Sequence, residues 1–360
     1  MAKKHVTEVD AYIFIKANLK MVGWDTKSPE RASPGQVYTQ NEYRANAELK
    51  KTLGLKTPEA IIKTSSSTVW VVESKSTHGQ MQQAIKEAKG YARLVNTSNN
   101  IEAKFISAVA GNEADSFLVK TYMRIGKAYK PVTINGVEIT GFLSPTEVEL
   151  LLQQNSPKLD NPPVDEKLFI EKAGRINEIL HLGAINPHQR ASVMSALLLS
   201  MLGSTQPNIE EKNTQVFIND INGRVKSILD EQGKAHFFNF ISITPPAASD
   251  NHIKFRQALV STIQELNLLN IKSAMNSGAD WLGMFYEVFL KYASWAQDLG
   301  IVLTPRHITQ YAADVMSIQP HDLVFDPTCG TGGFLVAAFD AVKKQASEAQ
   351  LDNFKKNAIF

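Results

Sequence analysis

The chain contains few of the residues that build covalent cross-links or membrane segments. It has 360 residues and one cysteine, Cys329, so neither an internal disulfide nor a cysteine-based zinc site is possible. Its longest apolar cluster, residues 196–202, is too short to cross a bilayer. The first residues lack the apolar core of a signal peptide. We therefore expect a protein of the reducing cytoplasm with no membrane partner.

The near-neutral total charge hides an asymmetry along the chain. Residues 1–130 hold 20 lysines and arginines against 12 acids, whereas the remaining residues hold 18 against 24. A basic N-terminal third suits a polyanionic partner such as DNA, although a solvated lysine-rich surface has the same composition.

Composition and periodicity divide the chain into successive blocks. Residues 1–143 mix helix and strand patterns, and residues 144–165 are rich in proline and polar residues, which predicts a linker with a short helix at 145–153. Residues 166–300 are almost entirely helical in pattern. A third block, residues 301–360, begins with a strand-like run and a glycine turn.

The glycine turn is the most informative motif. It follows the apolar run Leu323–Phe325, precedes a helical stretch, and reads Asp326-Pro327-Thr328-Cys329-Gly330-Thr331-Gly332-Gly333-Phe334. A strand, a glycine turn and a helix form the place where doubly wound folds bind adenosine cofactors. A triphosphate loop would need a lysine after the glycines, and a nicotinamide site would need a third spaced glycine. An unrelated α/β turn stays possible at this point.

This string resembles the first cofactor motif of amino-group DNA methyltransferases, which use S-adenosylmethionine. The segment Gly300–Ile308 resembles the Gly-x-x-x-Thr-Pro-x-x-Ile motif that precedes the cofactor motif in the adenine-N6 enzymes of type I and type IIG restriction–modification systems. This chain has Leu303 at the position where those enzymes usually carry an aromatic residue. The helical block is similar to their methylase helical domain. The resemblance implies that Asp326 lies by the methionine end of the cofactor, above Gly330 and Gly332. The other implied contacts come from Thr304, Pro305, Pro327 and Phe334.

The family's Asn/Asp-Pro-Pro-Tyr/Phe motif, which grips the target base, is expected after the glycine turn. The similar string at residues 161–164 precedes the turn, lacks the aromatic and is interpreted as linker. We therefore expect this chain to hold only the first part of a Rossmann-like methyltransferase domain, as a fragment or truncated product, without methyltransferase activity of its own.

A second constellation lies near the N-terminus. The buried-strand pattern Ser67–Val72 runs into Glu73-Ser74-Lys75, where alternation places Glu73 and Lys75 on one face. The stretch Thr57–Ile62 predicts a second strand, with Glu59 at its start and a hairpin between the two strands. Carboxylates hold Mg²⁺, which activates water for phosphodiester hydrolysis, and an ammonium positions or helps deprotonate that water.

The arrangement resembles the PD-(D/E)xK nuclease core, and more narrowly the nuclease domain of type I and type IIG restriction proteins. The resemblance implies that Glu59, Glu73 and Lys75 are catalytic, with Glu59 standing where aspartate is more usual. It also implies Glu8, on an expected first helix over Val6–Val22, as a third metal ligand beside Glu59 and Glu73. Gln83 is the implied glutamine of the following helix, which also carries Tyr91.

The expected fold is an α/β nuclease core with a mixed sheet flanked by helices. An all-α connector and the start of a methyltransferase domain follow it. The expected function is Mg²⁺-dependent cleavage of double-stranded DNA, completed by a target-recognition part or a separate specificity chain. Two alternatives remain, a methyltransferase piece with a degenerate nuclease and a non-catalytic DNA-binding or assembly module completed by another chain.

Overall fold

The structure is a computed structural model with two compact units, Met1–Ala279 and Asp280–Phe360. It describes residues 8–31, 33–160, 162, 166–203, 205–248, 251–276, 285, 304–330 and 332–359. No helix among these residues is both long and apolar enough to cross a membrane.

A six-stranded mixed sheet forms the centre of the first unit. Its strands are β1 (Val37–Thr39), β2 (Ala60–Lys63), β3 (Thr68–Lys75), β4 (Glu102–Asn112), β5 (Ser116–Ile125) and β6 (Ala128–Pro131). They lie in sequence order, and every neighbouring pair is antiparallel except β3 and β4. A parallel pair needs a crossover, which is supplied here by a helix. The expected mixed α/β fold is confirmed.

Helices cover both faces of the sheet. They are α1 (Glu8–Met21), α2 (Ala47–Leu53) and the crossover helix α3 (Met81–Val95). Trp70 and Val72 pack in the core that contains Ile15 of α1, whereas Val69 and Val71 pack with the apolar face of α3. Because side chains alternate along a strand, this assignment directs Glu73 and Lys75 towards the face that α3 covers.

The predicted N-terminal elements are present with small differences at their ends. The helix expected over Val6–Val22 is α1, and the expected hairpin joins β2 to β3 with Ala60 opposite Val72. The strand expected from Thr57 begins only at Ala60. Pro58 has no N–H to donate to a ladder, which explains the later start. Glu59 therefore lies immediately before the sheet.

The segment that the composition predicts as a linker contains regular structure. Helix α4 (Pro145–Gln154) begins at a capping box formed by Ser144 and Glu147. A small second sheet pairs β7 (Thr133–Ile134) with β8 (Val137–Glu138) and with β9 (Lys158–Leu159). The string at residues 161–164 is described only at Pro162. The domain boundaries drawn from composition stay predictions.

The described part of residues 166–276 is helical, as the periodicity predicts. The helices are α5 (Glu166–Leu182), α6 (Pro187–Leu202), α7 (Thr214–Glu231), α8 (Phe238–Ile241), α9 (His252–Leu268) and α10 (Ile271–Asn276). The side chain of Asn186 accepts a hydrogen bond from His188 N and so caps α6. Apart from Phe285, the rest of the block predicted as helical up to residue 300 lies outside the described residues.

Helix α9 packs directly on the sheet region. The N–H of Phe117 in β5 donates to Gln264 Oε1 at 2.6 Å, and Thr140 Oγ1 donates to the carbonyl of Asn267 at 2.8 Å. A Cβ atom on Gly141 would lie 2.5 Å from the carbonyl oxygen of Leu268, so this approach requires glycine. These contacts place the helical block and the sheet in one unit.

In the second unit, residues 304–330 and 332–359 contain a short parallel pairing and three helices. Its described helices are α11 (Arg306–Met316), α12 (Gly333–Lys343) and α13 (Glu348–Asn357). Val324, in the strand-like run before the glycine turn, pairs in parallel with Ile359 through a single bridge. A small core around Val342, Phe354 and Ala358 lies beside this bridge.

Candidate functional site

A cluster of ionisable side chains lies where β3 ends beneath α3. We call Glu59, Glu73, Lys75, Gln83 and Glu87 the Glu73 cluster. Lys75 Nζ lies 3.0 Å from Glu73 Oε1 and 2.7 Å from Glu87 Oε2. The Glu73 side chain is only 9% exposed, and that of Lys75 is 21% exposed. The alternation of β3 therefore brings this carboxylate and this ammonium together, as expected.

Glu59 reaches the same end of the sheet from β2. Because Ala60 lies opposite Val72, the preceding residue Glu59 lies beside the end of β3. Ser74 Oγ donates to Glu59 Oε2 at 3.3 Å, and the negative charge of Glu59 contributes to the raised pKa of Glu73. The structure thus brings Glu73 and Lys75 into contact and places Glu59 at the same end of β3, and their catalytic roles stay predictions.

Helix α3 supplies the third side of the cluster. Gln83 Nε2 donates to Glu87 Oε1 at 2.9 Å, so Gln83 is linked to Lys75 through Glu87. Burial, followed by the charges of Glu73 and Glu87, raises the pKa of Tyr91. Sequence reasoning assigned no role to Glu87. The available signal was its spacing of four residues from both Gln83 and Tyr91, which places the three on one helix face.

The cluster contains two groups whose proton affinities are strongly changed. Burial, followed by the charges of Glu87 and Glu59, raises the pKa of Glu73 to about 7 against the opposing effect of Lys75. Burial alone lowers the pKa of Lys75, but its bonds to Glu87 and Glu73 outweigh burial and raise that pKa above its usual range. Near neutral pH Glu73 exchanges its proton while Lys75 stays charged, which favours Lys75 as a positioning group over a base.

Glu8 is the first residue of α1, and its side chain lies outside the described part of the chain. Its expected role as a metal ligand stays a prediction. Within the described ranges, no three His, Cys, Asp or Glu side chains form a metal-binding group. Mg²⁺ is commonly held by one or two carboxylates, with water and substrate phosphate completing its shell. The carboxylates of Glu59 and Glu73, which lie at the same end of β3, are of the kind that requirement calls for.

The raised pKa of Glu73 predicts a pH-dependent stability. A carboxyl group whose pKa is raised from 4.5 to about 7 on folding stabilises the folded state below pH 4.5, and this contribution disappears as the pH rises through 7. Each pKa unit corresponds to about 1.4 kcal/mol, so the expected loss is about 3 kcal/mol. Glu73→Gln removes this pH dependence, because a glutamine side chain does not titrate.

Urea unfolding in EDTA, followed by tryptophan fluorescence from pH 4.5 to 8, measures this effect. The free energy of unfolding of the unmodified chain should fall relative to Glu73→Gln over that range. Exposed Glu113→Gln is the control and should track the unmodified chain. A difference between the chain and Glu73→Gln that does not change with pH would contradict the raised pKa.

The cofactor candidates of the second unit lie at the starts of two helices. Thr304 and Pro305 immediately precede α11 and are exposed. A Cβ atom on Gly333, the first residue of α12, would lie 3.5 Å from Thr309 Cγ2 of α11. The helix that follows Thr304 and Pro305 and the glycine turn therefore lie close together, although they are separated in sequence.

The glycine turn has an open backbone surface. Gly330 and Gly332 have φ angles of +53° and +79°, which side chains rarely adopt, and a Cβ atom on either would have no atom within 4 Å. Asp326 Oδ1 accepts a hydrogen bond from Thr328 N at 3.0 Å, which orders the turn. Pro327 is exposed, and Phe334 is 41% exposed. This open, glycine-lined surface fits a cofactor that lies against bare backbone.

Comparison with known proteins decides the class of the second unit. Residues 277–357 match the family model for N-6 DNA Methylase. The chain carries an N6-adenine methyltransferase region. A domain of this family implies S-adenosylmethionine, and the match includes all seven cofactor candidates.

Relatives extend the similarity to restriction–modification proteins. The chain is 25% identical over 381 residues to the type II restriction enzyme and methyltransferase RM.BcgI of Heyndrickxia coagulans, covering 92% of this chain and 57% of that protein. It is 33% identical over 93 residues to the type I EcoEI methylase subunit of Escherichia coli, covering 26% of this chain and 19% of that subunit. The MjaIX methylase subunit of Methanocaldococcus jannaschii is 37% identical over 68 residues, covering 18% and 12%. The chain is thus homologous to type II and type I restriction–modification enzymes and spans little more than half of the longest match.

Proposed function

We propose that the first unit hydrolyses phosphodiester bonds of double-stranded DNA at the Glu73 cluster in a Mg²⁺-dependent reaction. The observation that carries this proposal is the position of Lys75 Nζ, within 3.0 Å of Glu73 and 2.7 Å of Glu87 at the end of a strand that Glu59 also reaches. A mixed sheet flanked by helices is the fold that the PD-(D/E)xK resemblance implies. Similarity to a type II restriction enzyme and methyltransferase over 92% of the chain is further support.

In the proposed mechanism the carboxylates of Glu59 and Glu73 would hold Mg²⁺, with Glu8 as a further candidate ligand. The bound ion would supply charge stabilisation and activate a water molecule for attack on phosphorus. Lys75 is held in place by Glu87, which Gln83 in turn orients. Its ammonium donates hydrogen bonds to the attacking water or to the phosphoryl oxygens, where negative charge increases in the transition state.

Plasmid cleavage by the purified full chain with Mg²⁺ tests the proposal. We expect nicked and linear products, and we expect Glu73→Ala to reduce their rate of formation at least 100-fold because a metal-binding carboxylate is lost. Glu149→Ala, at an exposed position of α4, is the matched control and should cleave at the unmodified rate. If Glu73→Ala cleaves DNA at the control rate, the Glu73 cluster is not the catalytic site.

The second unit supports an additional function. We propose that its glycine turn binds S-adenosylmethionine as part of an adenine-N6 DNA methyltransferase. The N-6 DNA Methylase match and the open backbone of Gly330 and Gly332 favour this proposal. If the nuclease is degenerate, calorimetry will detect cofactor binding while Mg²⁺ produces neither cleavage nor a rise in melting temperature.

A non-catalytic role is the third candidate. Two of the relatives are methylase subunits of type I enzymes, which favours a chain that assembles with a specificity or target-recognition partner. Salt-sensitive DNA binding without turnover, together with co-purification of a partner chain, would support this role over cleavage.

A further inference from the structure

A basic groove lies on the opposite flank of α3 from the Glu73 cluster. Its cavity of about 500 Å³ is lined by Lys89, Arg93, Asn96, Arg124, Lys127, Ala128 and Tyr129. Four of these seven residues carry a positive charge. The groove runs between the second half of α3 and the β5–β6 hairpin, whereas the Glu73 cluster lies between α3 and the β2–β3 hairpin.

The helix wall of the groove is a stripe of cations. Lys86, Lys89 and Arg93 follow each other at spacings of three and four residues, which places them on one side of α3. Gln83, Glu87 and Tyr91 follow each other at spacings of four residues and form a separate stripe of α3. At a rise of 1.5 Å per residue, the stripe from Lys86 to Arg93 is about 10 Å long.

The sheet wall adds further cations. Lys120 and Arg124 alternate with Tyr122 along β5, and Tyr122 packs against the apolar cores beneath α3. Alternation therefore directs all three towards the side of the sheet that α3 covers. Lys89 Nζ lies 5.1 Å from the centre of the Tyr122 ring, so the two walls meet there.

The end of the groove is held in place by hydrogen bonds. Tyr129 OH donates to the carbonyl of Ala103, and Asn96 Nδ2 donates to Tyr129 OH at 3.2 Å. Two acids oppose the positive charge. Glu102 forms an ion pair with Arg124 at 2.9 Å, and the negative charge of Glu138, after burial, helps to raise the pKa of Tyr122. Positive charge remains in excess, because Lys89, Arg93, Arg124 and Lys127 all line the groove.

We propose that this basic groove binds the phosphodiester backbone of duplex DNA without regard to sequence. The stripe of three cations is about 10 Å long, which is longer than a single anion and suits a row of phosphates along one DNA strand. A helix with its side chains is about 10–12 Å across, so DNA held in the groove lies one helix width from the Glu73 cluster. The choice of DNA as the polyanion rests on the proposed function.

The test is the salt dependence of DNA binding by the full chain. Fluorescence anisotropy of a labelled duplex in EDTA, from 50 to 200 mM salt, compares the unmodified chain with the triple variant Lys86→Gln, Lys89→Gln and Arg93→Gln. We expect the slope of log affinity against log salt to fall by about 2.7, because three phosphate contacts are lost. We also expect the affinity at 100 mM salt to fall at least tenfold. Glutamine keeps the helix propensity of α3, and circular dichroism checks the fold.

A control triple variant removes the same charge elsewhere. Lys167→Gln, Lys234→Gln and Lys254→Gln change exposed lysines of the helical block and should leave the slope unaltered. A groove variant with the slope of the unmodified chain, or a control with an equal loss, would overturn the inference. Polyglutamate and unlabelled duplex, at equal concentrations of negative charge, are compared as competitors of the labelled duplex. If polyglutamate displaces the labelled duplex as well as unlabelled duplex does, the inference is overturned in favour of an acidic protein partner.

The proposals for the groove and for the Glu73 cluster can be contradicted independently of each other. If the chain never cleaves DNA but the groove variant loses the salt slope, the inference stands and the proposed nuclease fails. If the chain cleaves and the groove variant binds as before, the nuclease stands and the inference fails.

Discussion

Lys75→Ala is expected to slow DNA cleavage by about 10²–10⁴-fold, the range over which a positioned acid–base or hydrogen-bonding group acts. The ammonium lies between Glu73 and Glu87 and stays protonated at neutral pH, since its bonds to both acids raise its pKa. Alanine removes the only cation that contacts these two acids in the described ranges. The pKa of Glu73 should then rise further, because Lys75 is the group that opposes burial there.

Single-turnover cleavage at saturating Mg²⁺ and DNA measures the effect, and anisotropy measures binding separately. DNA affinity should stay within about twofold, because the basic groove supplies most phosphate contacts in our proposal. Lys63→Ala removes an exposed lysine at the far end of β2 and should cleave at the unmodified rate. Cleavage by Lys75→Ala at the Lys63→Ala rate would exclude Lys75 from the reaction.

Gly332→Val is expected to weaken S-adenosylmethionine binding by at least 100-fold. Gly332 has a φ of +79°, which a β-branched residue adopts only at a cost of roughly 1–2 kcal/mol or more. The valine side chain would also occupy the open surface on which we place the cofactor. Strain and steric exclusion act together, so the expected loss exceeds that from removing a single hydrogen bond.

Calorimetric titration with S-adenosylmethionine measures the loss. Lys344→Val places the same side chain at an exposed position just beyond the far end of α12 and should bind as the unmodified chain does. Equal binding by Gly332→Val and Lys344→Val would exclude the glycine turn as the cofactor surface. Absence of binding heat with the unmodified chain would contradict the proposal that this glycine turn binds the cofactor.

Local patterns predicted the elements that carry the candidate residues. Alternation along Ser67–Val72 placed Glu73 and Lys75 on one face, and β3 has that arrangement. The short connection between two apolar runs predicted the hairpin that brings Glu59 to Glu73. Strand, turn and helix preferences depend on neighbours within a few residues, so one sequence suffices for them. The S-adenosylmethionine motif was likewise local, and the family match agrees with it.

Long-range packing produced the features that the patterns missed. Glu87 lies 12 residues after Lys75, and only the crossover of α3 beneath the parallel pair of β3 and β4 brings the two into contact. The pKa of about 7 at Glu73 comes first from burial, which requires the assembled sheet and helix. The basic groove likewise requires β5 to lie beside α3.

The amino-acid sequence alone determined which residue types could perform the chemistry and on which faces of their strands and helices they lie. Tertiary structure alone decided that Glu87 holds Lys75, that burial raises the pKa of Glu73, and that the acidic site and the basic groove lie on different flanks of α3. Side-chain direction follows from backbone periodicity, whereas proton affinity and charge grouping depend on what distant segments bring within a few ångströms.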